Sequence, residues 1–164
     1  MDWALWFYWI IATTSGWLIG STLFRGIPIV ISGVLIAAMQ WAVLYKRIDK
    51  SWQWFILSSF TWIISLILLV LFFPGAENLY GPFLGFALGL TQWLILRREL
   101  EWTGWWIVIS ALGWTTGLTL MPGLFTTGAL PGALTGLALV IFFRYSEDLD
   151  EGTEVNDEIQ SAGK

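Results

Sequence analysis

Six stretches of this chain carry no charged side chain: Trp3–Phe24, Ile27–Tyr45, Trp52–Phe73, Gly81–Leu96, Trp102–Leu120 and Phe125–Phe143. Each is close to the roughly 20 residues that an α-helix needs to cross about 30 Å of hydrocarbon. Lipid offers no partner to a bare backbone, so runs of this kind must become helices or a closed barrel. Barrel strands would alternate polar and apolar residues over about 10 positions, and these runs do not alternate. The expected fold is therefore all-α: a polytopic membrane protein with six transmembrane helices. Composition agrees, because 57% hydrophobic against 12% charged residues in 164 is more apolar surface than a soluble domain of this size can hide. The first run has neither a basic leader nor a small-residue cleavage site and is expected to stay as a helix.

Basic residues set the expected orientation. Lys46, Arg47 and Lys50 follow the second run, Arg97 and Arg98 the fourth, and Arg144 the sixth, whereas the other side has Arg25. The positive-inside rule then places both termini in the cytoplasm of a bacterial cell or internal membrane. The transmembrane domain covers residues 1–145. Residues 146–164 hold Glu147, Asp148, Asp150, Glu151, Glu154, Asp157 and Glu158 and are expected to form an acidic, disordered cytoplasmic tail.

Internal repetition is the next constraint. A displacement of 52 residues lays Gly33, Gln40, Trp41, Leu44, Trp54 and Trp62 on Gly85, Gln92, Trp93, Leu96, Trp106 and Trp114. A displacement of 47 lays Gly81, Gly85, Gly89 and Arg97 on Gly128, Gly132, Gly136 and Arg144, with Leu139 where the other copies have glutamine. The reading is three parallel repeats of a helical hairpin, at about 3–45, 52–96 and 102–143, related by an axis along the membrane normal.

At 100° per residue, Trp9, Gly16 and Gly20 fall within about 20° of one line, as do Trp54, Thr61, Ser65 and Trp106, Gly113, Gly117. Gly33, Ala37, Gln40 and Leu44 form a matching stripe, repeated by Gly85, Gly89, Gln92 and Leu96. Small residues four apart let helices approach closely, so these stripes are expected seams. Gln40, Gln92, Trp9, Trp54 and Trp106 share one depth and form a candidate polar seam. They either lock the bundle by hydrogen bonds or line a patch for a ligand head group. Trp17, Trp62 and Trp114, near mid-bilayer, are either packing or the wall of an aromatic pocket for a lipid, isoprenoid or pigment. Trp3, Trp6, Trp41, Trp52, Trp93, Trp102 and Trp105 suit an interfacial belt.

The run Gln92-Trp93-Leu94-Ile95-Leu96-Arg97-Arg98, with Gly104-Trp105-Trp106 and Ala111-Leu112-Gly113-Trp114, resembles a group of small tryptophan-rich multi-pass membrane proteins of unknown function from cyanobacteria and filamentous bacteria. The likeness covers residues 30–145. It implies a bacterial membrane and a repeated-hairpin fold, and carries no activity. The translocator protein family is also small and tryptophan-rich, but it has five helices and a proline-rich first loop that Arg25-Gly26-Ile27-Pro28 does not reproduce.

No catalytic residues are expected. The spans hold no Asp, Glu, Lys, Arg or His, the residues with which pumps and carriers bind ions or relay protons. Cysteine and histidine are absent from the whole chain, which removes the commonest nucleophile, base and metal ligands; no metal or other cofactor is expected. Glu99 and Glu101 are read as surface ion pairs with Arg97 and Arg98. Two roles remain: a non-catalytic accessory or scaffold subunit that meets other membrane proteins, or a binding or transport module for a neutral hydrophobic molecule. The lipid bilayer is the expected surroundings, and no nucleic acid is expected.

Overall fold

A computed structural model describes residues 2–23 and 28–162, with side chains as far as Ser146. Arg25 and the acidic side chains of the tail therefore lie outside the described residues. The helices are α1 (Trp3–Leu23), α2 (Pro28–Leu44), α3 (Trp52–Phe72), α4 (Tyr80–Leu96), α5 (Trp105–Thr115) and α6 (Thr126–Ala162). A 3-10 turn, Glu77–Leu79, leads into α4, and a π-helical stretch, Thr116–Leu120, extends α5. Among the described residues there is no strand.

Local chemistry explains several ends. The Asp2 carboxylate accepts the Leu5 N–H at 3.0 Å, a capping bond that satisfies an orphan donor of α1. It also holds Arg47 at 2.7 Å, tying the start of α1 to the end of α2. The Leu5 N–H above all, helped by Arg47, keeps the Asp2 carboxyl below the usual aspartate range. A depressed carboxyl pKa means that this tie stabilises at neutral pH and is lost as the pH falls through it. Pro28 occupies the first position of α2, where its missing N–H costs nothing.

Among the described residues, three helical segments are long and apolar enough to cross a membrane: Trp52–Phe72, Glu77–Leu96 and Thr126–Ser146. Pro28–Leu44 and Trp105–Leu120 are apolar but shorter. At 1.5 Å per residue the 17 residues of α2 reach about 25 Å. The apolar run that begins at Trp102 starts its helix only at Trp105, because Trp102 sits at φ +57°, outside helical space. Beyond Ser146, α6 continues as helix through Ala162, where composition suggested an unstructured tail. A helix already nucleated adds residues without a new nucleation cost, and that favours continuation.

The helices close into a ring in chain order. Each packs on its neighbours in sequence, and α1 completes the circuit against α6. Close approach depends on glycine. A Cβ on Gly16 would lie 2.6 Å from the backbone nitrogen of Ile36 in α2, and one on Gly85 would lie 2.7 Å from Cα of Ala111 in α5. The Trp62 indole lies directly against Gly33, leaving no place for a side chain there.

Polarity runs inside out. Thr13, Gln40, Ser58, Gln92, Ser110 and Thr135 are buried, while Phe60, Leu71, Phe72, Phe86, Leu112 and Leu120 are exposed. Such a surface suits lipid and not water. The loops after α2 and α4 follow one course: Ile48 and Leu100 turn inward, Lys50 and Trp102 take φ +53° and +57°, and Ser51 and Thr103 are buried.

Gly33→Ala should destabilise the protein by about 1–3 kcal/mol, since the Trp62 ring has to move. Gly104→Ala, which meets open space, should be close to neutral. Equal unfolding midpoints in detergent for the two variants would count against the glycine-contact account.

Candidate functional site

Three indoles meet at the centre of the bundle. Trp9 of α1, Trp54 of α3 and Trp106 of α5 are each fully buried. Their ring centroids stand 5.5, 5.8 and 6.4 Å apart, with interplanar angles of 71–75°. Edge-to-face contact sets the positive edge of one ring against the negative face of the next. The backbones of α1, α3 and α5 do not pack on one another, so the indoles fill the gap between them.

Each indole N–H needs an acceptor, because no water reaches it. Trp54 Nε1 donates to Gln40 Oε1 at 3.2 Å, and Trp106 Nε1 donates to Gln92 Oε1 at 3.0 Å. Each amide then donates backwards: Gln40 Nε2 to Thr13 Oγ1 and Gln92 Nε2 to Ser58 Oγ, both at 3.0 Å. The Thr13 hydroxyl in turn donates a hydrogen bond to the carbonyl of Trp9 at 2.9 Å. Gln40 thus ties α2 to both α1 and α3, and Gln92 ties α4 to both α3 and α5.

The third sector solves the problem differently. Leu139 occupies the glutamine position and is buried in apolar contact. Trp9 Nε1 donates instead to Thr135 Oγ1 at 2.9 Å, and Thr135 donates to the carbonyl of Pro131 at 2.6 Å. Thr135 stands one turn from Leu139 on the same stripe, where a short hydroxyl takes the acceptor role that a long amide fills elsewhere. Ser110, the counterpart of Thr13 and Ser58, receives no amide and is a buried hydroxyl without a partner. Thr14 Oγ1, Trp41 Nε1 and Ser59 Oγ are also buried without partners.

Of the eight candidates, Gln40, Gln92, Trp9, Trp54 and Trp106 thus form one connected cluster. Trp62 and Trp114 form a second layer, with centroids 5.0 Å apart, and the Trp62 N–H donates to the carbonyl of Ile29 at 2.8 Å. Trp17 is half-buried and packs against the apolar cluster that holds that pair, with its Cβ beside Gly128. Thr13 and Thr135 were not singled out from sequence, and Ser58 stood out only as a hydroxyl able to bond to its own helix. The signal was present: Thr13, Ser58 and Ser110 each follow a ring tryptophan by four residues, one helical turn.

Between the two layers lies a cavity of about 10 Å³, lined among others by Thr13, Gln40, Ser58, Gln92 and Thr135. A larger groove of about 520 Å³ opens outward between α1 and α2, with walls including Leu5, Ile11, Met39 and Val43 and with Arg47 at one end. The expected ion pairs of Glu99 and Glu101 are not formed. Glu99 accepts the Asp49 N–H at 2.9 Å, Arg98 donates to Gln53 at 3.2 Å, and Arg97 lies 4.9 Å from the Trp93 ring centre. Exposed ion pairs are worth so little that a backbone donor or a ring face can displace them. Among the described residues no cluster of His, Cys, Asp or Glu could hold a metal ion. Comparisons with family models, curated proteins and solved structures find no match for this chain.

Replacing Gln40 with leucine strands the Trp54 N–H and should cost about 1–3 kcal/mol. In that background Trp54→Phe should cost less than in the parent, since the stranded donor goes with it. A double-mutant cycle in detergent checks this, and strictly additive losses would count against the hydrogen bond as a source of stability.

Proposed function

We propose that this chain is a six-span bacterial membrane protein that works without catalysis, as an accessory or scaffold subunit acting through its outer helix faces. The observation that carries the proposal is the filled interior. Three indoles close the axis, the glutamine amides are engaged by neighbouring helices, and about 10 Å³ remains between the layers. Drug-sized ligands occupy clefts of roughly 300–1,000 Å³, so an isoprenoid or pigment has no room between the hairpins. Contacts with partners then fall to the outside, where large apolar side chains are exposed.

In this reading the six spans are three copies of one hairpin about an axis along the membrane normal. Support comes from the paired loops, from the pairing of Trp54 with Gln40 and of Trp106 with Gln92, both 14 residues apart, and from the closed ring of helices. The basic residues Lys46, Arg47, Lys50, Arg97, Arg98 and Arg144, all on one side of such a bundle, support cytoplasmic termini. Binding of a neutral hydrophobic compound is the second reading. Its support is the outward groove between α1 and α2 and not the axis.

Purification in mild detergent followed by native mass spectrometry tests the role. The expected result is a protein partner held at fixed stoichiometry, with no small hydrophobic molecule lost when Gln40 and Gln92 are both replaced. A stoichiometric pigment or isoprenoid that disappears in a folded double variant would overturn the scaffold reading. Separately, a reporter active only outside the cytoplasm, fused after Ser146, should stay silent; a strong signal there would reverse the orientation.

A further inference from the structure

We infer that the cavity on the bundle axis is a binding site for one water molecule, held by the glutamine amides and closed at both ends by tryptophan. The inference rests on the hydrogen-bond inventory of the ring and holds whichever role the outer surface plays. An indole N–H can only donate, so in each glutamine the oxygen must face Trp54 or Trp106, which fixes the amide orientation. Each amide nitrogen carries two N–H groups and makes one hydrogen bond, to Thr13 or to Ser58. Each amide oxygen has two lone pairs and accepts one indole. Both glutamines therefore keep one donor and one acceptor site in a place that bulk water does not reach. Both residues line the same cavity, together with the hydroxyl residues Thr13, Ser58 and Thr135.

Size and charge select the occupant. A water needs roughly 10–15 Å³ by this measure and two to four polar partners. The cavity offers about 10 Å³, room for one molecule and not for a file of them. The lining has no carboxylate to neutralise a cation, and spare amide N–H groups would repel one. It has no positive side chain for an anion. A neutral molecule that both donates and accepts satisfies all the leftover sites. The Trp9–Trp54–Trp106 ring lies on one side and the Trp62–Trp114 pair on the other, so the site is an enclosed hydration position and not a stage in a pore.

The direct test is a structure of the whole chain in lipid nanodiscs at a resolution that shows ordered water. The expected result is one peak within hydrogen-bond distance of both the Gln40 and the Gln92 amide. A cavity without density would overturn the proposal. Water relaxation dispersion on the parent and on folded Gln40→Leu/Gln92→Leu protein gives a second reading. The count of long-lived internal waters should fall by one, and an unchanged count would overturn the assignment. Vesicles carrying the parent should swell under osmotic shock no faster than protein-free vesicles. Faster swelling would overturn the enclosed character of the site.

Discussion

An indole N–H shut away from water is costly without an acceptor, and much of this bundle can be traced to three that find one. Trp9, Trp54 and Trp106 bring large, flat apolar bodies to the axis, where they fill space that the backbones of α1, α3 and α5 leave open. Each also brings a donor that its own helix cannot satisfy. The acceptors come from the helices between them, from Gln40, Gln92 and Thr135. The residue that fills the centre is thus the one that obliges the neighbouring helix to turn a polar group inward. In lipid the hydrophobic effect does not drive one helix against another, so this demand and close packing are what distinguish the closed ring from separate helices.

Packing and hydrogen bonding depend on each other here. Side-chain reach is limited, so the helices must lie close, and glycine permits that at Gly16 against Ile36 and at Gly85 against Ala111. The third sector obtains closeness in its own way. Pro131 has no N–H, so the carbonyl of Thr127 lacks its usual helical donor, and that carbonyl lies 2.8 Å from where a Cβ on Gly117 would stand. Thr127 Oγ1 in turn donates to the carbonyl of Gly117 at 3.0 Å. A glycine in the π-helical stretch and a proline in α6 therefore let two backbones meet just beyond the end of α5.

Apolar runs and glycine stripes were legible in the sequence because both are one-dimensional consequences of lipid: one of thickness, the other of contact every fourth residue. Gln40, Gln92 and the three ring tryptophans stood out because polar and bulky residues are conspicuous against such a background. Their partners did not. Thr13 and Ser58 look like ordinary helical hydroxyls that bond to their own backbone, as Thr115 and Thr116 do at 2.6 and 3.0 Å. Leu139 read as a missing glutamine, but the acceptor had moved one turn to Thr135, and only distances between helices reveal that exchange. The Asp2–Arg47 contact joins residues far apart in sequence and follows no periodicity. The course of α6 beyond Ser146 escaped a compositional reading, because composition registers the absence of a core and not the ease of extending a helix already begun.

The three sectors are not equivalent, and the difference has a direction. Between α1 and α2, and between α3 and α4, an amide donates into a hydroxyl on the odd-numbered helix; between α5 and α6 the corresponding hydroxyl, Ser110, is left buried and unpartnered. Restoring a glutamine at 139 would supply Ser110 with a donor, but it would also set a second acceptor beside Thr135 for the same Trp9 N–H. One N–H shared between two acceptors makes a weaker bond to each than it makes to one. The hydroxyl at 135 and the leucine at 139 are thus one solution and not two independent departures. Its cost falls on Ser110, a hydroxyl left buried and without a partner between α5 and α6.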